Sequence, residues 1–176
     1  ASRCVELHGL YNYLTKDNKI LCKDWFNTAG NFHNGFAIVR REDGCRTYIK
    51  PDGTYLTDMW FEFLYYFNKN GLAYVGLKNG NSNYIKTDGT LLVNDSYNVG
   101  EFIGGFAPIM REDGLVTYIK PDGTYLTDMW FERVYRFNNG LSYVKLQNGN
   151  YNYLKPDGTL LLADRKSVVQ GQSVDL

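Results

Sequence analysis

The strongest constraint on the fold is an internal repeat. The sixteen residues TYIKPDGTYLTDMWFE occupy positions 47–62 and return unchanged at positions 117–132. Looser copies extend the pattern along the chain, and a glycine marks the same register in each copy at spacings of 34 to 36 residues. The register glycines are Gly9, Gly44, Gly80, Gly114 and Gly149. A period of this length predicts five similar units that bury their apolar surfaces against one another.

Each unit carries the sequence signals of short strands joined by tight turns. Tyr48-Ile49 follows the register glycine of the second unit, and the turn PDGT at positions 51–54 leads to the apolar pair Tyr55-Leu56. Glycine supplies the positive φ that such a turn needs. A further apolar run lies upstream at positions 36–39. We therefore predict an antiparallel three-stranded meander in each unit and almost no helix.

Two details of the strands are predicted from single segments. Residues 130–137 alternate well enough to form a fourth strand or an extended crossover between units. Pro108 lacks a backbone N–H, so we expect its strand to lie at a sheet edge or to pair on one side only.

The apolar residues predict that both faces of every sheet are covered. Tyr48 and Ile49 are neighbours, so their side chains point to opposite faces of a strand. Stacking of each unit on the next covers both faces, and a small residue in each upstream strand fits close approach between sheets. These small residues are Ala37, Ala73, Ala107 and Ser142.

The predicted fold class is all-β, with five tandem meanders of about 35 residues. We expect a closed five-bladed, propeller-like ring, and the alternative is an open superhelix or β-solenoid. Residues 1–176 are taken as one repeat domain, with units at 1–29, 30–64, 65–100, 101–134 and 135–165. The tail 166–176 leaves the register, and it would complete the first sheet of a ring, or in an open array cap the last sheet or be disordered.

The charge balance excludes some classes of partner. Nineteen basic and nineteen acidic residues cancel, and no basic run is present. The chain therefore lacks a positive patch that would attract nucleic acids or anionic membrane surfaces. No apolar run is long enough to span a membrane as a helix, and no sequence motif predicts a cofactor.

The sequence resembles the bacterial WG-repeat family. Residues 26–56 (FNTAGNFHNGFAIVRREDGCRTYIKPDGTYL) follow that family's order of an aromatic residue, a glycine-introduced apolar strand, a glycine turn and a Tyr-Ile strand. The resemblance spans residues 1 to about 164. It departs at the Trp-Gly dipeptide, which is replaced in each unit, for example by Arg46-Thr47. The resemblance implies a binding or scaffolding role without catalysis. A looser similarity exists to the aromatic hairpin repeats of cell-wall-binding proteins and toxins.

No catalytic residue or metal ligand is predicted. The two histidines, His8 and His33, fall in different registers, and the single aspartate of each PDG turn offers too few oxygen atoms for calcium. One acidic position recurs in every unit, where it is expected to fix the bend between units. Its members are Asp24, Asp58, Asp95, Asp128 and Asp164.

The candidate ligand-binding residues are aromatic platforms beside carboxylates. Their members are Trp60, Trp130, Tyr55, Tyr125, Asp58 and Asp128. Large aromatic side chains in a β-repeat also serve as core between units, so both interpretations remain open.

The expected function is non-enzymatic: a scaffold module for protein–protein interaction. The alternative is binding of a carbohydrate or cell-envelope glycan through the repeated aromatics. The expected partner is therefore a protein or a glycan, and a secreted or cell-surface bacterial location remains open.

Overall fold

The computed structural model describes residues 2–163. The role predicted for the tail 166–176 concerns residues outside this range. Within the described residues the chain forms fourteen strands in five antiparallel sheets and no helix. The strands are β1 Arg3–Leu7, β2 Leu10–Leu14, β3 Thr28–Ala29, β4 Ala37–Arg40, β5 Arg46–Ile49, β6 Phe63–Leu64, β7 Leu72–Gly76, β8 Ser82–Lys86, β9 Asn98–Val99, β10 Ala107–Met110, β11 Val116–Ile119, β12 Arg133–Val134, β13 Ser142–Lys145 and β14 Tyr151–Leu154.

The five sheets correspond to the five predicted repeats. The chain divides into two compact units, residues 1–95 and residues 96 onward. The first unit holds the sheets β1–β2, β3–β4–β5 and β6–β7–β8, and the second holds β9–β10–β11 and β12–β13–β14. The all-β class and the tandem antiparallel sheets are confirmed. A single domain over 1–176 remains a prediction.

In each three-stranded sheet, one of the three strands comes from a different segment than the sequence predicts. The apolar pair after each PDG turn makes one isolated bridge, as Tyr55 does with Ile49, and does not form a strand. The segment predicted as a fourth strand or crossover contributes a two-residue strand instead: β12 pairs with β13 through Arg133–Lys145 and Val134–Val144. Each three-stranded sheet therefore takes its first strand from the crossover that enters it.

The prediction for Pro108 was wrong. Its strand, β10, is the middle strand of its sheet and pairs with both β9 and β11. The Pro108 carbonyl accepts a hydrogen bond from Gly100 N at 2.8 Å. Because β9 ends at Val99, the missing N–H of Pro108 falls where pairing with β9 stops, and the middle strand tolerates the proline.

Sheets of the first unit cover one another's faces. Tyr48 of β5 is fully buried in one cluster with Ala73, Val75 and Ile85 of the following sheet. Tyr13 of β2 is buried in the same way with Ala37, Val39 and Ile49. One face of each sheet thus packs on the opposite face of the next, as the apolar pattern predicts.

The second unit repeats this packing once. Tyr118 of β11 lies in a buried cluster with Val144 and Leu154 of the last sheet. Its hydroxyl donates to Tyr135 O at 2.6 Å and lies 2.8 Å from Ser142 Oγ. The small residues expected at the stacked positions are all fully buried: Ala37, Ala73, Ala107 and Ser142.

The glycines of the PDG and TDG turns also form contacts between repeats. At Gly53, Gly89 and Gly158 an added Cβ would lie 2.3, 2.3 and 2.1 Å from a leucine carbonyl oxygen of the preceding repeat. The register glycine Gly80, at nearly the same positive φ, has open space around its Cβ position. The PDG glycine is therefore required by the turn and also by the close approach of the neighbouring sheet.

A buried polar side chain ties each repeat to its own outgoing segment. Thr47 Oγ1 donates to Met59 O at 2.8 Å, and Thr117 Oγ1 donates to Met129 O at 2.7 Å. Asn83 and Asn152 stand at the same repeat position, and their Nδ2 groups donate to carbonyls two residues nearer, Val93 O and Leu162 O. These residues stand at the second position of the missing Trp-Gly dipeptide. They replace the glycine with a hydrogen-bond donor that holds the bend.

Candidate functional site

Trp60 lies between an arginine and a tyrosine. The Arg41 guanidinium carbon lies 4.5 Å from the Trp60 ring centroid, which is cation–π geometry. Tyr55 meets the same ring edge-on at 5.7 Å. Arg41 also pairs with Asp43 at 2.9 Å and lowers the pKa of that carboxyl to about 2. Trp60 is half-buried against the buried cluster of Tyr13, Val39 and Ile49, so it belongs partly to the core and partly to the surface.

A pocket of about 430 Å³ opens beside Trp60. Its apolar wall is formed by Trp60, Met59, Leu77 and Leu91, and its polar lining residues are Arg41, Asp58, Lys78, Asn79 and Asp95. The structure therefore brings together two of the predicted site residues, Trp60 and Asp58. Tyr55 contacts Trp60 but does not line this pocket, and its hydroxyl donates to Asp24 Oδ2 at 2.7 Å.

The second copy of the platform keeps the arginine and the tyrosine. The Arg111 guanidinium carbon lies 4.4 Å from the Trp130 ring centroid, and Tyr125 meets the ring edge-on at 5.8 Å. Tyr97 adds a nearly parallel ring at 6.1 Å. Trp130 is thus flanked by more aromatic surface than Trp60. Asp128 lies two residues away along the chain.

The recurring aspartates do not share one role. The Asp24 carboxylate accepts the Tyr55 hydroxyl, and this bond joins two repeats. Asp95 acts through its backbone oxygen, which accepts from Asn79 and Asn81 at 3.0 and 3.1 Å. Asp58 lines the Trp60 pocket, and Asp164 lies outside the described residues. The bend itself is held by the buried Thr or Asn side chains.

A tyrosine-rich surface on the last sheet was not predicted. Tyr143 and Tyr153 are direct cross-strand partners, and Tyr151 lies two residues from Tyr153 on the same face. The rings of Tyr143 and Tyr151 stack at 5.0 Å with an interplanar angle of 11°. The three side chains are 37%, 46% and 40% exposed for Tyr143, Tyr151 and Tyr153. We call this surface the tyrosine face.

A groove of about 610 Å³ runs along the tyrosine face. Its lining residues are Tyr135, Arg136, Asn138, Asn139, Leu141, Tyr143 and Tyr153. A signal for this surface is present in the sequence, because the last repeat differs there from the fourth. It has tyrosine at the positions of Tyr143 and Tyr151, where the fourth repeat has Pro108 and Val116.

The described residues show few groups that could support chemistry. Among residues 2–163, no three His, Cys, Asp or Glu side chains lie close enough to hold a metal ion. The three free cysteines include Cys22, whose pKa is raised to about 11 mainly by burial, with a further contribution from Asp24. A thiol with this pKa is a poor nucleophile at neutral pH. No helix in the described part of the chain could cross a membrane.

Stacked sheets with a shared register define a tandem-repeat all-β protein. Residues 117–151 match the family model described as WG containing repeat. The resemblance to the WG-repeat family is confirmed by this segment, which runs from the second half of the fourth repeat into the fifth. No curated protein matches the chain significantly.

Several solved structures share general features with the chain. The computationally designed Ika8 protein aligns with a TM-score of 0.37 and 14% identity over 92% of this chain. BamB from Moraxella catarrhalis aligns with a TM-score of 0.33 and 11% identity over 82% of this chain. The WD40 beta propeller domain of Doa1 aligns with a TM-score of 0.32 and 11% identity over 92% of this chain. The chain spans 61%, 52% and 64% of these proteins, respectively. These TM-scores and identities are low.

Proposed function

We propose that the chain is a non-enzymatic binding module that holds a protein partner. The observation that carries the proposal is the tyrosine face. Tyr13, Tyr48 and Tyr118 are almost completely buried, whereas Tyr153, at the equivalent position, is 40% exposed beside two further exposed tyrosines. Tyrosine offers a large, rigid contact area with a polar tip, and it is enriched in the centres of protein interfaces.

The distribution of sequence differences between the copies supports the same role. Residues 117–132 repeat residues 47–62 without change, but three of the next four residues differ: FLYY at 63–66 and RVYR at 133–136. At the positions that differ, Tyr66, Arg133 and Arg136 are exposed. A constant framework with variable exposed side chains suits recognition of a partner, since the framework fixes position and the variable residues set specificity.

The second candidate function is binding of a carbohydrate, and the Trp60 pocket favours it. An indole face, two carboxylates, an asparagine amide and two cations surround one opening of about 430 Å³. Hydroxyl-rich ligands need such a combination of apolar wall and polar groups. Against this function, Arg41 already lies over the Trp60 ring, so a sugar would have to use the remaining ring surface.

The two functions separate in a paired binding screen. The immobilised chain is exposed to a displayed random-peptide library and, separately, to a glycan array. The proposal predicts enriched peptides whose binding is lost in the Tyr143→Ser/Tyr151→Ser variant. No enriched peptide, together with glycan binding that Trp60→Ala or Trp130→Ala abolishes, would overturn the protein-binding proposal and establish the second function.

The proposed function has two alternatives for the arrangement of the repeats: the closed ring predicted from the sequence and the open superhelix. A ring requires cover for the last sheet, whereas the exposure of Tyr143, Tyr151 and Tyr153 favours the open form. Deletion of residues 166–176 tests closure of a ring through that segment. Closure through that segment predicts a loss of several kcal/mol, on the order of one buried strand. An unchanged melting temperature would count against ring closure through that segment.

A further inference from the structure

In the interior repeats, a defined segment packs over the tyrosine of each sheet. Tyr48 donates its hydroxyl hydrogen to Tyr65 O, and the Phe67 ring lies 5.0 Å from the Tyr48 ring. Tyr118 donates to Tyr135 O, and Phe137 lies 4.9 Å away. In both repeats the acceptor stands 17 residues after the tyrosine, and the phenylalanine follows two residues later.

The first repeat uses the same arrangement. Tyr13 donates to Gly30 O, and the Phe32 ring lies 5.2 Å from the Tyr13 ring. Three covering segments are therefore known: TAGNF at 28–32, FLYYF at 63–67 and RVYRF at 133–137. All three begin with a two-residue strand and end in phenylalanine. The second residue is Ala, Leu or Val.

The covering phenylalanine occupies a defined socket. Phe67 packs against Phe36 at 4.7 Å as well as against Tyr48, and Phe137 packs against Phe106 at 4.7 Å as well as against Tyr118. In the second repeat, Asn34 Nδ2 also donates to Phe67 O at 3.1 Å. The socket thus consists of a tyrosine, an apolar residue and, in one copy, an asparagine donor.

The groove on the last sheet has the same three parts. Tyr153 stands at the position of Tyr48, Leu141 at that of Phe36 and Asn139 at that of Asn34, and all three line the groove. Asn34 and Asn139 share the left-handed backbone, with φ of 51° and 53°. The conformation that presents the Asn34 amide to Phe67 O is therefore also present at Asn139.

We infer that this groove binds an extended peptide of the form aliphatic-x-x-Phe from a protein partner. The phenylalanine enters between Tyr153 and Leu141, and its carbonyl accepts from Asn139. The carbonyl two residues earlier accepts from the Tyr153 hydroxyl. Tyr143 and Tyr151 extend the contact along the rest of the face. This inference rests on the proposed protein-binding function and specifies the partner's chemistry.

The chain supplies its own probe for the experiment. A fluorescently labelled peptide of residues 131–138 (FERVYRFN) contains one covering segment with two arginines for solubility. Titration with the full chain should give saturable binding in fluorescence anisotropy. The matched peptide with Phe137→Ala should bind at least about tenfold more weakly, as expected when a buried aromatic anchor is removed.

Protein variants locate the binding site. Tyr153→Ala and Asn139→Ala should each weaken binding of the 131–138 peptide, whereas Tyr65→Ala, an exposed tyrosine outside the groove, should not. Equal binding by the two peptides, or unchanged affinity in Tyr153→Ala, would overturn the inference. Peptides selected from the random library that use the tyrosine face but lack phenylalanine would also overturn it, and the proposed function would stand. If neither the probe nor the library binds, both fail.

Discussion

Strands β11 and β14 have similar sequence patterns but lie in different environments. All four residues of β11 are buried, whereas β14 alternates between exposed and buried. Tyr118 is 2% exposed and Tyr153 is 40% exposed, although both follow a buried Thr or Asn in the same register. The difference is that Tyr118 has a covering segment, residues 133–137. Burial of a residue in this chain is therefore set by the neighbouring repeat and not by its own strand.

The comparison should be clearest when the tyrosine ring is removed. Tyr118→Ala deletes a buried aromatic side chain and its bond to Tyr135 O, so we expect a loss of about 3–5 kcal/mol in unfolding free energy. Tyr153→Ala changes an exposed side chain and should cost less than about 1 kcal/mol. Urea denaturation followed by circular dichroism measures both. Equal losses would show that the two strands have the same environment.

The contact between repeats through the turn glycine Gly89 can be separated from the effect of its backbone conformation. Gly89→Ala and Gly80→Ala both place a side chain at φ near +88°, and the shared cost is about 1–2 kcal/mol. Only Gly89→Ala drives a Cβ against Leu56 O of the preceding repeat. We expect it to cost about 1–3 kcal/mol more, the range for overpacked sites. The same denaturation experiment checks this, and similar losses would show that the close approach to Leu56 does not contribute to stability.

The buried hydroxyl within a repeat gives a smaller effect. Thr117→Val keeps the shape of the side chain but leaves Met129 O without its donor, so we expect a loss of about 1–3 kcal/mol. The control is Thr124→Val, because Thr124 bonds the exposed Asp122, where water can replace the lost group. A stability loss for Thr124→Val that matches Thr117→Val would contradict the assigned role of the buried position.

The turn aspartates give the smallest effect, and it depends on pH. Hydrogen bonds from Thr90 lower the pKa of Asp88, and the pKa values of Asp52, Asp122 and Asp157 are lowered by the equivalent threonines. A lowered pKa adds stability above the unfolded value of about 3.9, and that stability is lost as pH falls toward the folded pKa. Melting temperature should therefore drop below about pH 4. Asp88→Asn should reduce that drop, and an unchanged pH profile would rule out this contribution.

The repeat predicted more of the fold than of the site. Copies of Tyr-Ile and PDG indicated the number of sheets, their antiparallel pairing and the stacked faces, because these depend on local turn chemistry and side-chain alternation. The first strand of a three-stranded sheet is only two residues long, so it leaves almost no pattern. Pro108 was misplaced because a missing N–H matters only where pairing continues.

The site depends on contacts that no single segment specifies. Arg41 reaches Trp60 from a turn nineteen residues earlier in the chain. The pocket beside Trp60 joins Asp58 to Asn79 and Asp95 of another repeat. Within the described residues, the tyrosine face has no covering segment of the kind seen at Tyr48 and Tyr118. Its exposure therefore depends on contacts outside its own strands, and the sequence of those strands alone does not specify them.

Tyrosine modification tests most directly whether neighbouring repeats set burial. The folded chain is treated with tetranitromethane, and nitrated residues are mapped by mass spectrometry of the digest. We predict rapid nitration of Tyr143, Tyr151 and Tyr153, whose side chains are exposed, and protection of Tyr13, Tyr48 and Tyr118, whose side chains are buried. Similar nitration of both groups under native conditions would contradict the claim that the neighbouring repeat sets burial.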